Sequence, residues 1–275
     1  MVFVCQDAEE PRQTVEPGDR GVLLEVAYDG TEFHGWAAQS GVRTVEEVVL
    51  GAVSAIDPGV RRLRGASRTD AGVHAQGQLV AFDSVRDIPV RGWVLGLNKN
   101  LPEDVAVRAA RPVPGGYSPR FTARSKRYRY RVVVDEVRDP HLRTRAWRLP
   151  DLSVSLLDAE RHAAVGTHDF AAFRCSGDTR PSTVRTITRV DVIPEDVSGV
   201  ISIVVEGNAF LHNMVRILVG TMVDVARSRL DPGAVGRALV SRDRRTAGTT
   251  APAHGLTLEH IDVELPSESG DRWPQ

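Results

Sequence analysis

Residues 65–82 read GASRTDAGVHAQGQLVAF. A charged, glycine-broken turn built on Arg68-Thr69-Asp70 runs straight into GQLVAF, whose apolar character marks a strand. Asp70 stands before Ala71 and Gly72 and is followed by His74 and Gly77, small residues that let a backbone or a ligand come close. An aspartate in such a turn ordinarily accepts hydrogen bonds from its own backbone. Whether Asp70 does more depends on what the rest of the chain supplies.

Working outward, GVLLEVAYDG places Val22, Leu24, Val26 and Tyr28 on one face of a strand that ends in the Asp29-Gly30 turn signal. Thr44 and Glu47 have the spacing of a capping box, and the apolar residues from Val45 to Ile56 follow at helical period until Asp57-Pro58-Gly59 stops them. Residues 88–97 read as a helix and DVAVRAARP as a third strand. The proline- and glycine-rich stretch RPVPGGYSPR then breaks the pattern and is the expected domain boundary. Beyond it, YRYRVVVD is a strand, LSVSLLDAERHAAVG a helix closed by Gly166, and TITRVDVI with GVISIVVEG a hairpin. One helical stripe runs from Leu211 to Ala226. Asp231-Pro232 starts a last short helix with proline in its first turn. Strands mixed with helices in this order predict an α+β fold with antiparallel sheets under helices. The expected organisation is an acidic, loosely held extension over 1–20, halves over 21–112 and 113–265, and a tail over 266–275.

Composition excludes several classes. A chain of 275 residues with 41% hydrophobic content is long enough to bury a core. No apolar run approaches the roughly 18 residues that span a membrane, and the early acidic residues do not suit a signal peptide. The two cysteines, Cys5 and Cys175, have no paired spacing, which predicts neither a disulfide framework nor a thiolate zinc site and suits a reducing, cytoplasmic setting. Phosphate-binding loops of the nucleotide and dinucleotide types are missing from the sequence, and the eight histidines form no zinc-hydrolase pattern. A nucleophile pair of Cys175 and His168 can be drawn, but a cysteine beside Phe170 and Phe173 reads more simply as a small core residue.

The formal net charge of −1 hides an uneven distribution. Both ends are acidic, while residues 111–148 hold eleven basic residues against Asp135, Glu136 and Asp139. Within that surplus, TARSKRYRYR alternates Tyr128 and Tyr130 with Arg127, Arg129 and Arg131, so a strand would carry rings on one face and cations on the other. That combination suits RNA bases and phosphates; it equally suits a half-buried strand with its rings turned inward. In NAFLHNMVRILVG, Arg216 sits on the shoulder of the apolar stripe, where it either reaches water or serves a partly buried carboxylate.

GASRTDAGVHAQGQLVAF, LNKNLPEDVAV, the RYRY strand, NAFLHNMVRILVGTMVDV and AGTTAPAHGLTL resemble, in order and spacing, the tRNA pseudouridine synthase A family over nearly all of residues 21–265. Three positions depart from the usual pattern: Phe33 fills an aromatic slot, Ala37 replaces a glutamine, and Ser67 stands where glycine is common. The resemblance implies two pseudo-symmetric ferredoxin- or RRM-like halves joined around a central cleft, with helices on the outer faces. It implies an isomerase that converts uridine to pseudouridine at positions 38, 39 and 40 of the tRNA anticodon stem-loop, without metal or organic cofactor, as a homodimer. It makes Asp70 the nucleophile, Tyr128 the ring that stacks on the uracil, and Arg216 the partner of Asp70. Arg68 becomes a phosphate clamp or wedge, and Lys126, Arg127 and Arg129 become RNA contacts. A non-catalytic RNA-binding module using the same basic and aromatic strand is the alternative reading.

Overall fold

The structure is a computed structural model that describes residues 20–175, 177–197 and 199–266. The expected N-terminal extension and C-terminal tail, and Cys5, lie outside the described residues apart from Arg20 and Pro266. In chain order the elements are β1 (Arg20–Tyr28), α1 (Val45–Ile56), β2 (Arg64–Gly65), β3 (His74–Asp83), α2 (Val90–Asn100), β4 (Val105–Pro114), α3 (Pro119–Thr122), β5 (Ala123–Val133) and β6 (Trp147–Arg148). There follow α4 (Val154–Glu160), β7 (Gly166–Asp169), β8 (Val184–Pro194), β9 (Val200–Gly207), α5 (Met214–Ala226), α6 (Ala234–Ser241) and β10 (Leu256–Val263). Helices and mostly antiparallel strands alternate as an α+β fold.

The chain forms two compact units, an N-terminal one of residues 20–124 with 258–266 and a C-terminal one of residues 125–257. The first division falls within β5, so the stretch RPVPGGYSPR, expected to separate the halves, lies inside the N-terminal unit as the end of β4, a turn and the first half of α3.

In the N-terminal unit the strands run in the order β4-β1-β3-β10, with β2 added on β3. β1 pairs antiparallel with both β3 and β4. Being central, it buries Leu23 as well as Leu24, Val26 and Tyr28, so the one-faced alternation read from the sequence is incomplete. Its register against β3 slips between Val26 and Tyr28, a bulge beside the turn that holds Asp70. α2 packs on β4 and α1 on α2, with Trp93 edge-on to Phe82 at 5.1 Å. The expected capping box does not form. Thr44 instead donates to the Glu47 carboxylate at 2.6 Å, and the Val45 and Glu46 N–H groups that open the helix are met by the Gly35 and Trp36 carbonyls.

In the C-terminal unit the order is β5-β9-β8-β7, antiparallel throughout, with β6 parallel to β5. α4 packs on α5, and α5 on α6. Three helix expectations shift here. The helix after Leu152 is α-helical only to Glu160 and continues as a 3-10 turn over Arg161–Ala164, while Gly166, at φ +120, opens β7. α5 begins at Met214, not near Phe210, and every residue in it except Arg216 is buried, so it is a core helix and not one with a single apolar stripe. α6 starts after Gly233, beyond Pro232. Its first N–H groups are met by a distant carboxylate: Glu160, 4% exposed, accepts from Gly233 N at 2.5 Å and Val235 N at 3.1 Å.

Candidate active site

The Arg68-Thr69-Asp70 turn is fixed from three directions. On its N-terminal side, Ser67 and Gln78 form a two-way amide pair, with Ser67 N donating to Gln78 Oε1 at 3.2 Å and Gln78 Nε2 donating to Ser67 O at 2.5 Å. A side chain from β3 therefore holds the departure at Ser67 in place. Thr69 is buried, and its Oγ1 lies 2.7 Å from the Tyr28 hydroxyl. The bulge at the end of β1 turns Tyr28 toward this contact. The third support is the segment 33–36, which lies between the turn and the start of α1. Trp36 N donates to Thr69 O, and Gly72 N to Phe33 O. Gly35 has φ +95, and a Cβ there would stand 2.7 Å from Thr69 O, so only glycine fits.

Asp70 itself is half-buried, and its carbonyl accepts from Val73 N at 3.1 Å, which closes the turn locally. Arg68 is exposed. His74 is almost fully buried at the start of β3, with Nδ1 3.0 Å from Gly30 N and 3.1 Å from Asp29 Oδ1. It anchors the end of β1 to β3. Phe33, the aromatic departure, is buried under the Arg43 guanidinium at 4.0 Å. Thr69, just before Asp70, and Gly72, two residues after it, are therefore each bonded to a neighbouring segment.

The C-terminal unit carries the remaining sequence-predicted residues. Tyr128 on β5 is 6% exposed and meets Phe210 edge to face, centroids 5.2 Å apart. Tyr130, two residues on, belongs to the core: it is fully buried, donates to Pro252 O at 2.9 Å, and burial pushes its hydroxyl well above the usual range. On the opposite face of β5 the arginines are paired. Arg127 Nε meets Glu206 at 3.0 Å, while Arg129 and Arg131 share Glu195 at 3.4 and 2.8 Å. Burial raises the Glu195 carboxyl, but bonds from Ser202, Arg131 and Arg129 outweigh it and hold it below the usual range. Lys126 precedes them at the end of the ladder, opposite Gly207.

Arg216 lies in the first turn of α5. Its Nε donates to Ala251 O at 2.8 Å and its Nη1 to Asn213 Oδ1 at 2.9 Å, while Ala251 N donates back to Arg216 O. The segment 247–251 crosses α5 at Gly220, where a Cβ would overlap the Thr249 carbonyl. It is bonded there through Gly248 N to Thr221 Oγ1 and Thr249 N to Asp224 Oδ2. This is what the AGTTAPA stretch does: it clamps the helix that carries Arg216. Periodicity could not have found it, because an irregular crossing has none. Among the described residues, no group of three or more His, Cys, Asp or Glu side chains is placed to hold a metal ion.

The family described as tRNA pseudouridine synthase matches this chain over residues 25–122 and 162–263. Proteins named tRNA pseudouridine synthase A are similar to it over 88% of its length: 40% identical in Geobacter sulfurreducens, covering 99% of that protein, and 41% identical in Geobacter sp. strain M21, covering 98%. One from Thermoanaerobacter sp. strain X514 is 38% identical, with 99% covered. Among solved structures, a chain of the crystal structure of the archaeal box H/ACA sRNP Nop10-Cbf5 complex aligns with 86% of this chain at TM-score 0.31 and 10% identity, covering 46% of that chain. A chain with this match and these turns belongs to the tRNA pseudouridine synthase family. Its activity is isomerisation of uridine in tRNA.

Proposed function

We propose that Asp70 is the nucleophile of this isomerase and that its substrates are uridines 38, 39 and 40 in the anticodon stem-loop of tRNA. The observation that carries the proposal is the bracing of the Asp70 turn: Tyr28, Trp36, Phe33 and Gln78 all bond to residues 67–72, an investment of buried polar contacts that an ordinary surface turn lacks. Isomerisation breaks the N1–C1′ bond, turns the uracil, and makes a C5–C1′ bond. The proton on C5 is lost and N1 gains one, so the sum is unchanged and no co-reactant is needed. Either route for a carboxylate, attack at C1′ or addition at C6, needs a charged group held steady against the base.

Arg216 is the counter-ion that keeps Asp70 charged beside a base that would otherwise favour its neutral form. It suits that role as the one residue of α5 that is not buried, with Nε and Nη1 already anchored. Tyr128 stacks on the uracil once the nucleotide leaves its helix, replacing stacking worth about 1–3 kcal/mol. Arg68, exposed next to the nucleophile, holds a phosphate or fills the vacated space. Lys126 adds positive charge, whereas Arg127 and Arg129 act only net of Glu206 and Glu195. The chain works as a homodimer in the cytoplasm, where tRNA is; among the described residues no helix is long and apolar enough to cross a membrane.

The test is incubation with an unmodified tRNA transcript followed by pseudouridine mapping with carbodiimide and primer extension. Stops at positions 38–40 are expected. Modification confined to another arm of the tRNA would overturn the site assignment.

A further inference from the structure

The C-terminal unit holds a second concentration of cations away from β5. A cleft there is lined by Ala171, Arg174, Cys175, Arg242, Asp243 and Arg244. Its two nearby carboxylates are already engaged. Asp243 takes Arg245 through both oxygens, at 2.5 to 3.1 Å, and those bonds hold its carboxyl down at about 2. Asp169 meets Arg242 at 3.3 Å and also accepts from Ala171 N and Thr183 Oγ1. Two charges are left over. Arg174 is half-buried, and its guanidinium has no partner among the described residues. Arg244 bonds only to neutral groups, Gly248 O at 2.9 Å, Ala247 O at 3.4 Å and Thr250 Oγ1 at 3.2 Å, which aim it without cancelling it. The third cleft arginine, Arg242, follows α6 in the left-handed region at φ +56, where glycine is the unstrained choice. Cys175, read from the sequence as a core residue, is only partly buried and lines this cleft.

Surplus guanidinium groups held in a polar cleft fit phosphodiester oxygens, which accept from their planar fork. We propose that this cleft binds backbone phosphates of the tRNA, a contact separate from the residues assigned to the reaction. The inference rests on the tRNA-isomerase reading for the identity of its ligand. A link to that reaction is built in. Arg244 is bonded to Gly248 and Thr250, and Arg216 to Ala251, so a phosphate drawn onto Arg244 bears on the same segment that holds Arg216.

The experiment compares Arg174→Ala with its parent, both in an Asp70→Asn background so that binding is read without turnover. A fluorescein-labelled, unmodified tRNA transcript is titrated by anisotropy at KCl concentrations from about 50 to 400 mM. The expected result is weaker binding at every salt and a slope of log Kd against log salt smaller by about one, for the one phosphate contact removed. The Arg174 guanidinium has no partner among the described residues, so the melting temperature of the variant should not fall, which separates lost charge from lost fold. An unchanged Kd and slope would overturn the cleft. Wild-type turnover on the same tRNA, measured in parallel, reports on the isomerase reading independently.

Discussion

The turn that carries Asp70, the proposed nucleophile, is held by side chains from neighbouring strands. Tyr28 is the most informative of them, because its hydroxyl meets Thr69 Oγ1 in a buried contact. Replacing it with Phe leaves a buried hydroxyl short of that partner, which costs about 1–3 kcal/mol; thermal unfolding and steady-state kinetics should show a modest loss of stability and a fall in kcat larger than the rise in KM. Tyr128 gives a second residue-scale prediction. Tyr128→Phe keeps the ring and its edge contact with Phe210, so it should bind tRNA nearly as well as wild type, whereas Tyr128→Ala should bind about 10- to 100-fold more weakly. Wild-type turnover by the alanine variant would remove the stacking role. At this scale the sequence was legible in parts. Arg68-Thr69-Asp70 stood out because it is charged inside a turn. The pairing of the cations on β5 was not legible, since their partners Glu206 and Glu195 sit about 65 to 80 residues away in sequence. The small residues after Asp70 had been open to two readings, and for Gly77 the backbone one holds: a Cβ there would stand 2.6 Å from Glu259 O.

Helices and strands with strong periodicity were readable, and their ends were not. Periodicity reports which face is buried, while an end is decided by whichever group satisfies the first N–H donors. α1 is met by the Gly35 and Trp36 carbonyls, and α6 by Glu160. Glu160→Ala strands buried donors and should lower stability by on the order of 3 kcal/mol, read as a lower urea midpoint with an unchanged m-value; Glu160→Gln should fall between. The approach to α5 is secured by Asp178, whose buried carboxylate takes Arg180 Nε and Nη2, Arg180 N and His212 N. Burial alone would raise this carboxyl, but the Arg180 and backbone bonds outweigh it and hold it well below the usual range. A depressed folded pKa adds stability that is present above the unfolded value of about 3.9 and lost as pH falls through the folded one. Asp178→Asn should therefore be less stable than wild type at pH 7, with the gap narrowing in urea titrations as the pH is taken below about 4.

At the scale of the whole molecule, the α+β character was legible from the alternation of periods, and the family from five stretches in order. The division of the chain was not. β10, the last described strand, joins the N-terminal unit beside β3, and a pairing between residues so far apart in sequence leaves no local signal. The proposed catalytic groups are also scattered along the chain, with Asp70 in the N-terminal unit and Tyr128 and Arg216 in the C-terminal one. The proposed reaction has its most direct test at the carboxylate. With tRNA transcribed from [5-3H]uridine, the wild type should release tritium as the C5 proton leaves. Asp70→Asn should release none while binding the tRNA with affinity close to wild type. Tritium release by Asp70→Asn at the wild-type rate would contradict the account.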